Sequence, residues 1–130
     1  MSLSQYSAKI LIIEDEQSLL TALKDNFSAA GFGYVLEAED GEKGLQIAQH
    51  EKPDLILLDI FVPKIDGIAL LKMLKKEPRT EKIPVLILTN LEDDAKQAEV
   101  IENGAVAYLV KIEHTLEDVI EKVKAILKVS

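Results

Sequence analysis

Acidic side chains stand directly after two of the most apolar runs in the chain. Glu14 and Asp15 follow "AKILII", and Asp59 follows "PDLILL". A carboxylate at the end of a buried strand is costly unless a positive charge meets it, and carboxylates close together raise one another's pKa values. A hard divalent cation such as Mg²⁺, which prefers oxygen ligands, removes that repulsion. These three residues are therefore candidate Mg²⁺ ligands.

A hydroxyl and an ammonium group end two further apolar runs. Thr89 ends "IPVLILT", and Lys111 ends "AVAYLVK". Carboxylate, Mg²⁺, hydroxyl and ammonium together form a site for a phosphoryl group. The chain contains neither G-x-x-x-x-G-K-[ST] nor G-x-G-x-x-G, the glycine-rich motifs of nucleotide sites. Asp59 is then the best candidate phosphoryl acceptor, because a carboxylate can form an aspartyl phosphate.

The elements that must position these residues are five short aliphatic runs alternating with amphipathic stretches. The runs are apolar almost throughout, which is typical of strands covered on both faces of a parallel sheet. The stretches between them place apolar residues at helical spacing, as in "TLEDVIEKVKAIL" from Thr115 onward. A (βα) unit repeated five times predicts an α/β, doubly wound fold. Ligands of such folds lie at the carboxyl ends of the strands, where the candidate residues stand.

The composition is that of a globular domain: 130 residues, 48% hydrophobic and 29% charged. We expect a single domain over residues 1–130, with residues 1–8 as a flexible lead-in. The absence of cysteine excludes disulfides and thiolate metal sites. A net charge of −8 opposes unaided binding to nucleic acid or an anionic membrane. No apolar segment is long enough to cross a bilayer and no signal-peptide core is present, which favours a cytoplasmic location.

The strand-end residues, taken together, resemble the response-regulator receiver domains of two-component signalling over essentially the whole chain. The resemblance rests on Glu14-Asp15, on "LLDIFVPKIDG" around Asp59, and on Thr89, Tyr108 and Lys111. It implies a flavodoxin-like three-layer sandwich with a parallel sheet of order 2-1-3-4-5. It also implies that a histidine kinase or histidine phosphotransfer protein donates a phosphoryl group to Asp59. The Mg²⁺ ligands would be Glu14, Asp15, Asp59 and the backbone carbonyl of Phe61.

The resemblance also implies how the domain signals. Lys111 would pair with the phosphoryl group, Thr89 would move toward it, and Tyr108 would turn inward into the space that Thr89 leaves. The face formed by the fourth helix, fifth strand and fifth helix would then bind a downstream protein or a covalently linked output domain. The domain would be a phosphoacceptor rather than an enzyme, with slow self-dephosphorylation at most. No direct contact with nucleic acid or membrane is expected.

Two positions depart from the family pattern. Ile112 stands where the family usually has a proline after the lysine in a cis peptide, and we predict a trans Lys111–Ile112 bond because cis bonds without proline cost about 2.5–4 kcal/mol. Asn90 stands where a small residue is usual. Phe61 and Leu91 stand two residues past Asp59 and Thr89, and we expect them to border the path of an attacking water. We expect them to slow hydrolysis of the aspartyl phosphate by drying that approach.

Other interpretations of the same residues remain open. The acidic run at 14–16 is compatible with a helix N-terminus, Thr89 with a helix cap, Tyr108 with a half-buried strand aromatic, and Lys111 with a surface lysine. At the level of function, a receiver-like binding module without phosphorylation is one alternative, which the complete charged set opposes and which Asn90 and Ile112 keep open. A Mg²⁺-dependent phosphohydrolase is another. Such enzymes usually need an acid two residues after the nucleophile, where this chain has Phe61, and a cap domain.

Overall fold

The computed structural model describes residues 6–129, which form five strands and five α-helices in alternation. The strands are β1 (Tyr6–Ile13), β2 (Phe32–Ala38), β3 (Leu55–Leu58), β4 (Val85–Thr89) and β5 (Ala107–Val110). The helices are α1 (Gln17–Ala29), α2 (Gly41–Glu51), α3 (Gly67–Lys76), α4 (Asp94–Glu102) and α5 (Leu116–Leu127). A single 3₁₀ turn, Lys111–Glu113, joins β5 to α5.

All neighbouring strands pair in parallel, and their order across the sheet is β2-β1-β3-β4-β5. The predicted doubly wound (βα)5 sandwich and its strand order are confirmed. Within the sheet, β2 pairs with one edge of β1, and β3 pairs with the opposite edge of β1. The order therefore reverses between β1 and β3, and the crevice at their carboxyl ends is where such folds bind ligands.

The strand side chains enter two separate cores, one on each face of the sheet. In β1, Leu11 and Ile13 pack on the side of α2, α3 and α4, whereas Ile10 and Ile12 pack on the side of α1 and α5. Successive side chains of a strand point to opposite faces, so a sheet covered on both sides needs apolar residues at every position. This arrangement explains why the strands read as continuous aliphatic runs rather than as alternating ones.

The first strand begins earlier than expected. Residues 1–8 were expected to be a flexible lead-in, but Tyr6–Ala8 belong to β1. The backbone N–H of Tyr6 donates to the carbonyl of Gly31 at 3.0 Å, and its ring packs against Phe32 with centroids 4.7 Å apart. Apolar and hydrogen-bonding contacts therefore hold this end of the strand. The rest of the expected lead-in, residues 1–5, lies outside the described residues.

Four of the five helices that leave the carboxyl edge of the sheet, all except α1, begin at capping side chains. Asp40, Asp66, Asp93 and Thr115 precede α2, α3, α4 and α5, and each accepts a hydrogen bond from a backbone N–H of the first turn. Such caps satisfy donors that the helix itself cannot satisfy. They also define where each loop at this edge ends. Among residues 6–129, no helix has the length and apolar character needed to cross a bilayer.

Candidate phosphoryl-acceptor site

The acidic residues of the site emerge from the two central strands. The β1–β3 ladder ends at the pair Ile13 and Leu58, and the N–H of Asp59 donates to the carbonyl of Ile13 at 3.1 Å. Glu14 and Asp59, the residues that follow this last pair, consequently leave the sheet side by side. Their proximity follows from the strand order, because β3 lies next to β1 rather than next to β2.

Glu14, Asp15 and Asp59 form a cluster of carboxylates at this edge. Each offers one oxygen, and the three oxygens lie within 4.8 Å of one another. Glu14 and Asp59 are buried, with Asp59 only 5% exposed, whereas Asp15 is exposed. The cluster therefore has a buried base and an open side. Three carboxylate oxygens at such spacing fit the ligand preference of a hard divalent cation.

Lys111 reaches the cluster from the carboxyl end of β5. Its Nζ lies 2.8 Å from Oε1 of Glu14 and 2.8 Å from Oδ2 of Asp59, and its side chain is 15% exposed. One ammonium group thus contacts both buried carboxylates at once. It neutralises part of their charge, but three carboxylates against one ammonium leave the site negative.

Burial and hydrogen bonding have opposite effects on the pKa values of Glu14 and Lys111. Burial raises the pKa of Glu14, and this outweighs the hydrogen bonds from Lys111 and from the N–H of Glu16, which favour its charged form. Burial on its own lowers the pKa of Lys111, but hydrogen bonds to Asp59 and Glu14 outweigh it, so that the pKa is raised overall. The charged form of Lys111 is therefore stabilised by its partners, whereas the charged form of Glu14 is destabilised by burial.

The loop after β3 folds back on the Asp59 side chain. The backbone N–H of Phe61 donates to Oδ1 of Asp59 at 3.2 Å, while Lys111 occupies Oδ2. Both oxygens of Asp59 therefore have a partner, and the backbone of Phe61 lies beside the acidic cluster. The Phe61 side chain points away from the core and is 59% exposed.

Thr89 stands at the end of β4, next to β3, and is completely buried. Its hydroxyl oxygen accepts a hydrogen bond from the backbone N–H of Leu91 at 3.4 Å, within its own loop, and the hydroxyl bonds neither Asp59 nor Lys111. A hydroxyl that only accepts retains its hydrogen for donation to another group. The structure thus places Thr89 at the site's edge with a donor still available.

Tyr108 lies on β5 and is partly buried, and its hydroxyl donates to the backbone carbonyl of Leu91. The bond joins the middle of β5 to the loop that follows Thr89. Burial raises the pKa of the Tyr108 phenol, and the negative charges of Asp93 and Asp59 add to the rise. The neutral phenol, which can donate this hydrogen bond, is therefore the favoured form.

One contact at the mouth of the site was not foreseen from the sequence. Asn90 Oδ1 accepts a hydrogen bond from the backbone N–H of Ile112 at 3.2 Å. The sequence offered one clue, since Ile112 has an N–H that a proline at this position would lack. The prediction of a trans Lys111–Ile112 bond is confirmed, because residues 6–129 contain no cis peptide bond.

Comparison with known proteins agrees with this architecture. The family model for the response regulator receiver domain matches residues 10–124. The chain is 39% identical over 120 residues to the alkaline phosphatase synthesis transcriptional regulatory protein PhoP of Bacillus subtilis (strain 168), covering 92% of this chain and 48% of that protein. It is 37% identical to the DNA-binding dual master transcriptional regulator RpaA of Synechocystis sp. (strain ATCC 27184 / PCC 6803 / Kazusa), covering 92% and 49%.

A solved structure shows the same fold. The crystal structure of a putative response regulator from Chloroflexus aurantiacus J-10-fl superposes with a TM-score of 0.85 at 31% identity, covering 95% of this chain and 99% of that one. The chain belongs to the response regulator receiver domain family, as the strand-end residues predicted. Such domains act in signalling rather than in metabolic catalysis. The chain spans about half the length of the curated relatives described above.

Proposed function

We propose that Asp59 accepts a phosphoryl group from the phosphohistidine of a histidine kinase or histidine phosphotransfer protein. The observation that carries the proposal is the position of Asp59. It is a buried carboxylate at the reversal of strand order, 2.8 Å from the Lys111 ammonium and within an acidic cluster. A carboxylate so placed can act as a nucleophile, and the ammonium can stabilise the charge that arrives with phosphorus.

The residues present also fit a Mg²⁺ ion. We propose that Glu14, Asp15 and Asp59, with the backbone carbonyl of Phe61, would hold it, since the three carboxylates share an open-sided pocket with excess negative charge. When bound, the ion would neutralise the charge of the carboxylates and of the incoming phosphoryl oxygens. Burial and the negative charge of Asp59 raise the pKa of Glu14, and a bound divalent cation would relieve this cost of the charged carboxylate, which Lys111 does not fully offset.

The transfer exchanges one bond to phosphorus for another. A carboxylate oxygen of Asp59 attacks phosphorus, the bond from phosphorus to the imidazole nitrogen breaks, and the imidazole keeps that electron pair. Asp59 becomes a mixed anhydride. Lys111 must then move from the carboxylate charge toward the phosphoryl oxygens, a short displacement because its Nζ already lies within hydrogen-bonding distance of Asp59. Thr89 donates its free hydroxyl hydrogen to another phosphoryl oxygen.

Hydrogen bonds of Thr89 and Tyr108 to the Leu91 backbone connect the site to the surface of the domain. Drawing Thr89 inward moves its loop, and the Tyr108 hydroxyl is bonded to the Leu91 carbonyl of that loop. We propose that phosphorylation shifts the population of positions that Tyr108 and α4 adopt, which alters the α4–β5–α5 face for a downstream protein or a linked output domain. Once formed, the aspartyl phosphate hydrolyses slowly, so that the domain signals rather than turns over substrate.

Incubation with Mg²⁺ and a small phosphodonor, acetyl phosphate, tests the proposal by intact mass. We expect a lasting gain of one phosphoryl group in the wild type, none in Asp59→Asn, and a normal gain in the control Asp25→Asn, whose side chain is exposed on α1. Sustained release of phosphate over many turnovers would instead indicate a phosphohydrolase. No gain at all would indicate a receiver-like binding module. Omitting Mg²⁺ should abolish the gain.

A further inference from the structure

The hydrogen bond between Asn90 and Ile112 joins the two loops that carry the phosphoryl-binding groups. Asn90 follows Thr89 directly, and Ile112 follows Lys111 directly. The β4–β5 ladder ends at the pair Thr89 and Val110. The bond from Ile112 N to Asn90 Oδ1, 3.2 Å long, therefore adds a cross-connection just beyond the end of the sheet.

Apart from the ion pairs of the Lys111 side chain, the turn that carries Lys111 has no buried residue to anchor it. None of the three residues of the Lys111–Glu113 turn is buried, and Ile112 is 77% exposed. Backbone N–H groups at the start of a short helical turn have no partner inside the turn. Asn90 supplies the missing acceptor for one of them. The connection thus supports a segment that apolar packing does not hold.

We propose that Asn90 is a positioning residue: by bonding the Ile112 N–H, it keeps Lys111 directed at Asp59 and couples the Lys111 turn to the Thr89 loop. Asn90 acts through its neighbours, since its hydrogen-bond partner is Ile112 and not Asp59. This inference rests on the phosphoryl transfer proposed above.

The benefit of the coupling is entropic. A phosphoryl group on Asp59 needs Lys111 and Thr89 at the same time, and ordering two independent segments costs conformational entropy twice. A connection between the segments lets the ordering of one contribute to the ordering of the other. Because both ends of the connection are solvent-exposed, we expect the effect to lie at the lower end of the range for a hydrogen bond, roughly 2- to 5-fold in rate.

Asn90→Ala tests the proposal directly. We expect phosphorylation by acetyl phosphate with Mg²⁺ to slow by roughly 2- to 5-fold, and the Ile112 amide proton to exchange faster with solvent by a similar factor. Mg²⁺ affinity should stay within about twofold of the wild type, because the proposed ligands lie in the segments that directly follow β1 and β3. The matched control is Asn26→Ala, which removes an amide that bonds the Ala22 carbonyl at 2.8 Å within α1. It should change neither the phosphorylation rate nor Ile112 exchange.

A second variant separates the hydrogen bond from general destabilisation. Asn90→Asp keeps an Oδ1 acceptor at the same position and should restore slow exchange of the Ile112 amide. If Asn90→Ala leaves Ile112 exchange unchanged, the connection does not exist in solution. If exchange accelerates while the phosphorylation rate stays at the wild-type value, the bond does not position Lys111. Either result overturns the inference.

Failure of the proposed function gives a different pattern. A wild-type chain that never gains a phosphoryl group refutes phosphoryl transfer, whatever Asn90 does. In that case ¹⁵N relaxation of the Lys111–Glu113 amides, recorded without phosphodonor, still decides the positioning role. Backbone order parameters of this turn that fall in Asn90→Ala and recover in Asn90→Asp would support the positioning role. Order parameters that are the same in the wild type and in both variants would overturn it.

Discussion

A Cβ atom on Gly67 would lie 2.5 Å from the backbone carbonyl oxygen of Asp59. The first residue of α3 thus packs directly against the backbone of the proposed acceptor, Asp59. The N–H of Gly67 also donates to the carbonyl of Ile60 at 2.8 Å, which holds the helix start against the end of β3. Backbone atoms cannot move aside as the end of a flexible side chain can, so glycine is required here by close approach.

Gly67→Ala should therefore displace Asp59. We expect the free energy of unfolding to fall by about 1–3 kcal/mol, and phosphorylation by acetyl phosphate to slow at least about tenfold because the acceptor is misplaced. The control is Gly44→Ala, whose added Cβ would meet side-chain atoms of the buried Ile13 (Cδ1 at 2.6 Å, Cγ1 at 3.0 Å and Cγ2 at 3.2 Å) rather than the backbone of Asp59, so that it should lower stability but leave phosphorylation near the wild-type rate. Chemical denaturation and intact-mass kinetics measure the two effects. Unchanged phosphorylation in Gly67→Ala would contradict the prediction.

Lys111→Met should separate metal binding from phosphoryl transfer. Removing the ammonium deletes a positive charge that lies 2.8 Å from two of the proposed Mg²⁺ ligands. We expect Mg²⁺ to bind roughly 3- to 10-fold more tightly because like-charge repulsion is lost. Phosphorylation should nevertheless slow by about 100-fold, since the charge that stabilises the phosphoryl oxygens is gone.

Isothermal titration calorimetry with Mg²⁺ and intact-mass kinetics measure these opposite changes. Lys122→Met, which removes an exposed lysine of α5, should leave both quantities near wild type. Weaker Mg²⁺ binding in Lys111→Met would show that the ammonium organises the carboxylates rather than competing with the cation.

Tyr108 should titrate above the usual phenol pKa of 10.0, mainly because it is partly buried and also because Asp93 and Asp59 are negative. A group whose pKa is raised on folding contributes stability at pH values below its unfolded pKa and loses it as the pH rises through the folded value. Relative to Tyr108→Phe, the wild type should therefore lose stability above about pH 10. Phenolate absorbance of the wild type minus that of Tyr108→Phe isolates the titration.

Phosphorylation should shift that titration further upward, because it adds negative charge near Asp59. A Tyr108 pKa that is the same before and after phosphorylation would indicate that the phenol does not sense the site.

Phe61→Asn should accelerate loss of the phosphoryl group. The Phe61 ring is exposed next to a backbone N–H that contacts Asp59, so a polar side chain there can direct water to the anhydride. We expect the decay rate after donor removal to rise about 3- to 10-fold. Tyr34→Asn removes a similarly exposed aromatic residue from β2 and should leave decay unchanged. A Phe61→Asn protein that decays at the wild-type rate would exclude a shielding role.

The sequence could predict which strand-end residues lie at the same edge of the sheet, because parallel topology decides this placement. Knowing that Asp59 and Lys111 each end a strand suffices to bring them to one side of the sheet, although they are 52 residues apart. That Glu14 is buried while Asp15 is exposed could not be predicted in this way. It depends on which way each side chain turns after the last ladder pair, and adjacent residues with the same charge give no sequence signal for that.

The Asn90–Ile112 contact was beyond sequence reasoning for a related reason. It joins two loop residues 22 positions apart through a side-chain oxygen, and no periodic pattern reports such a pair. The start of β1 was also placed too late, because Tyr6 and Ser7 interrupt the aliphatic pattern. Tyr6 is held in the sheet by a ladder contact and by the Phe32 ring rather than by a buried aliphatic side chain.

Helix α4 contributes only one buried side chain, Val100, out of nine residues, whereas α3 contributes three, Leu70, Leu71 and Leu74, out of ten. Exposed positions tolerate substitution with small changes in stability. Most of α4 can therefore change during evolution without endangering the fold, so the α4–β5–α5 face that we propose for partner binding can diverge in specificity while the sheet and its acidic edge stay intact.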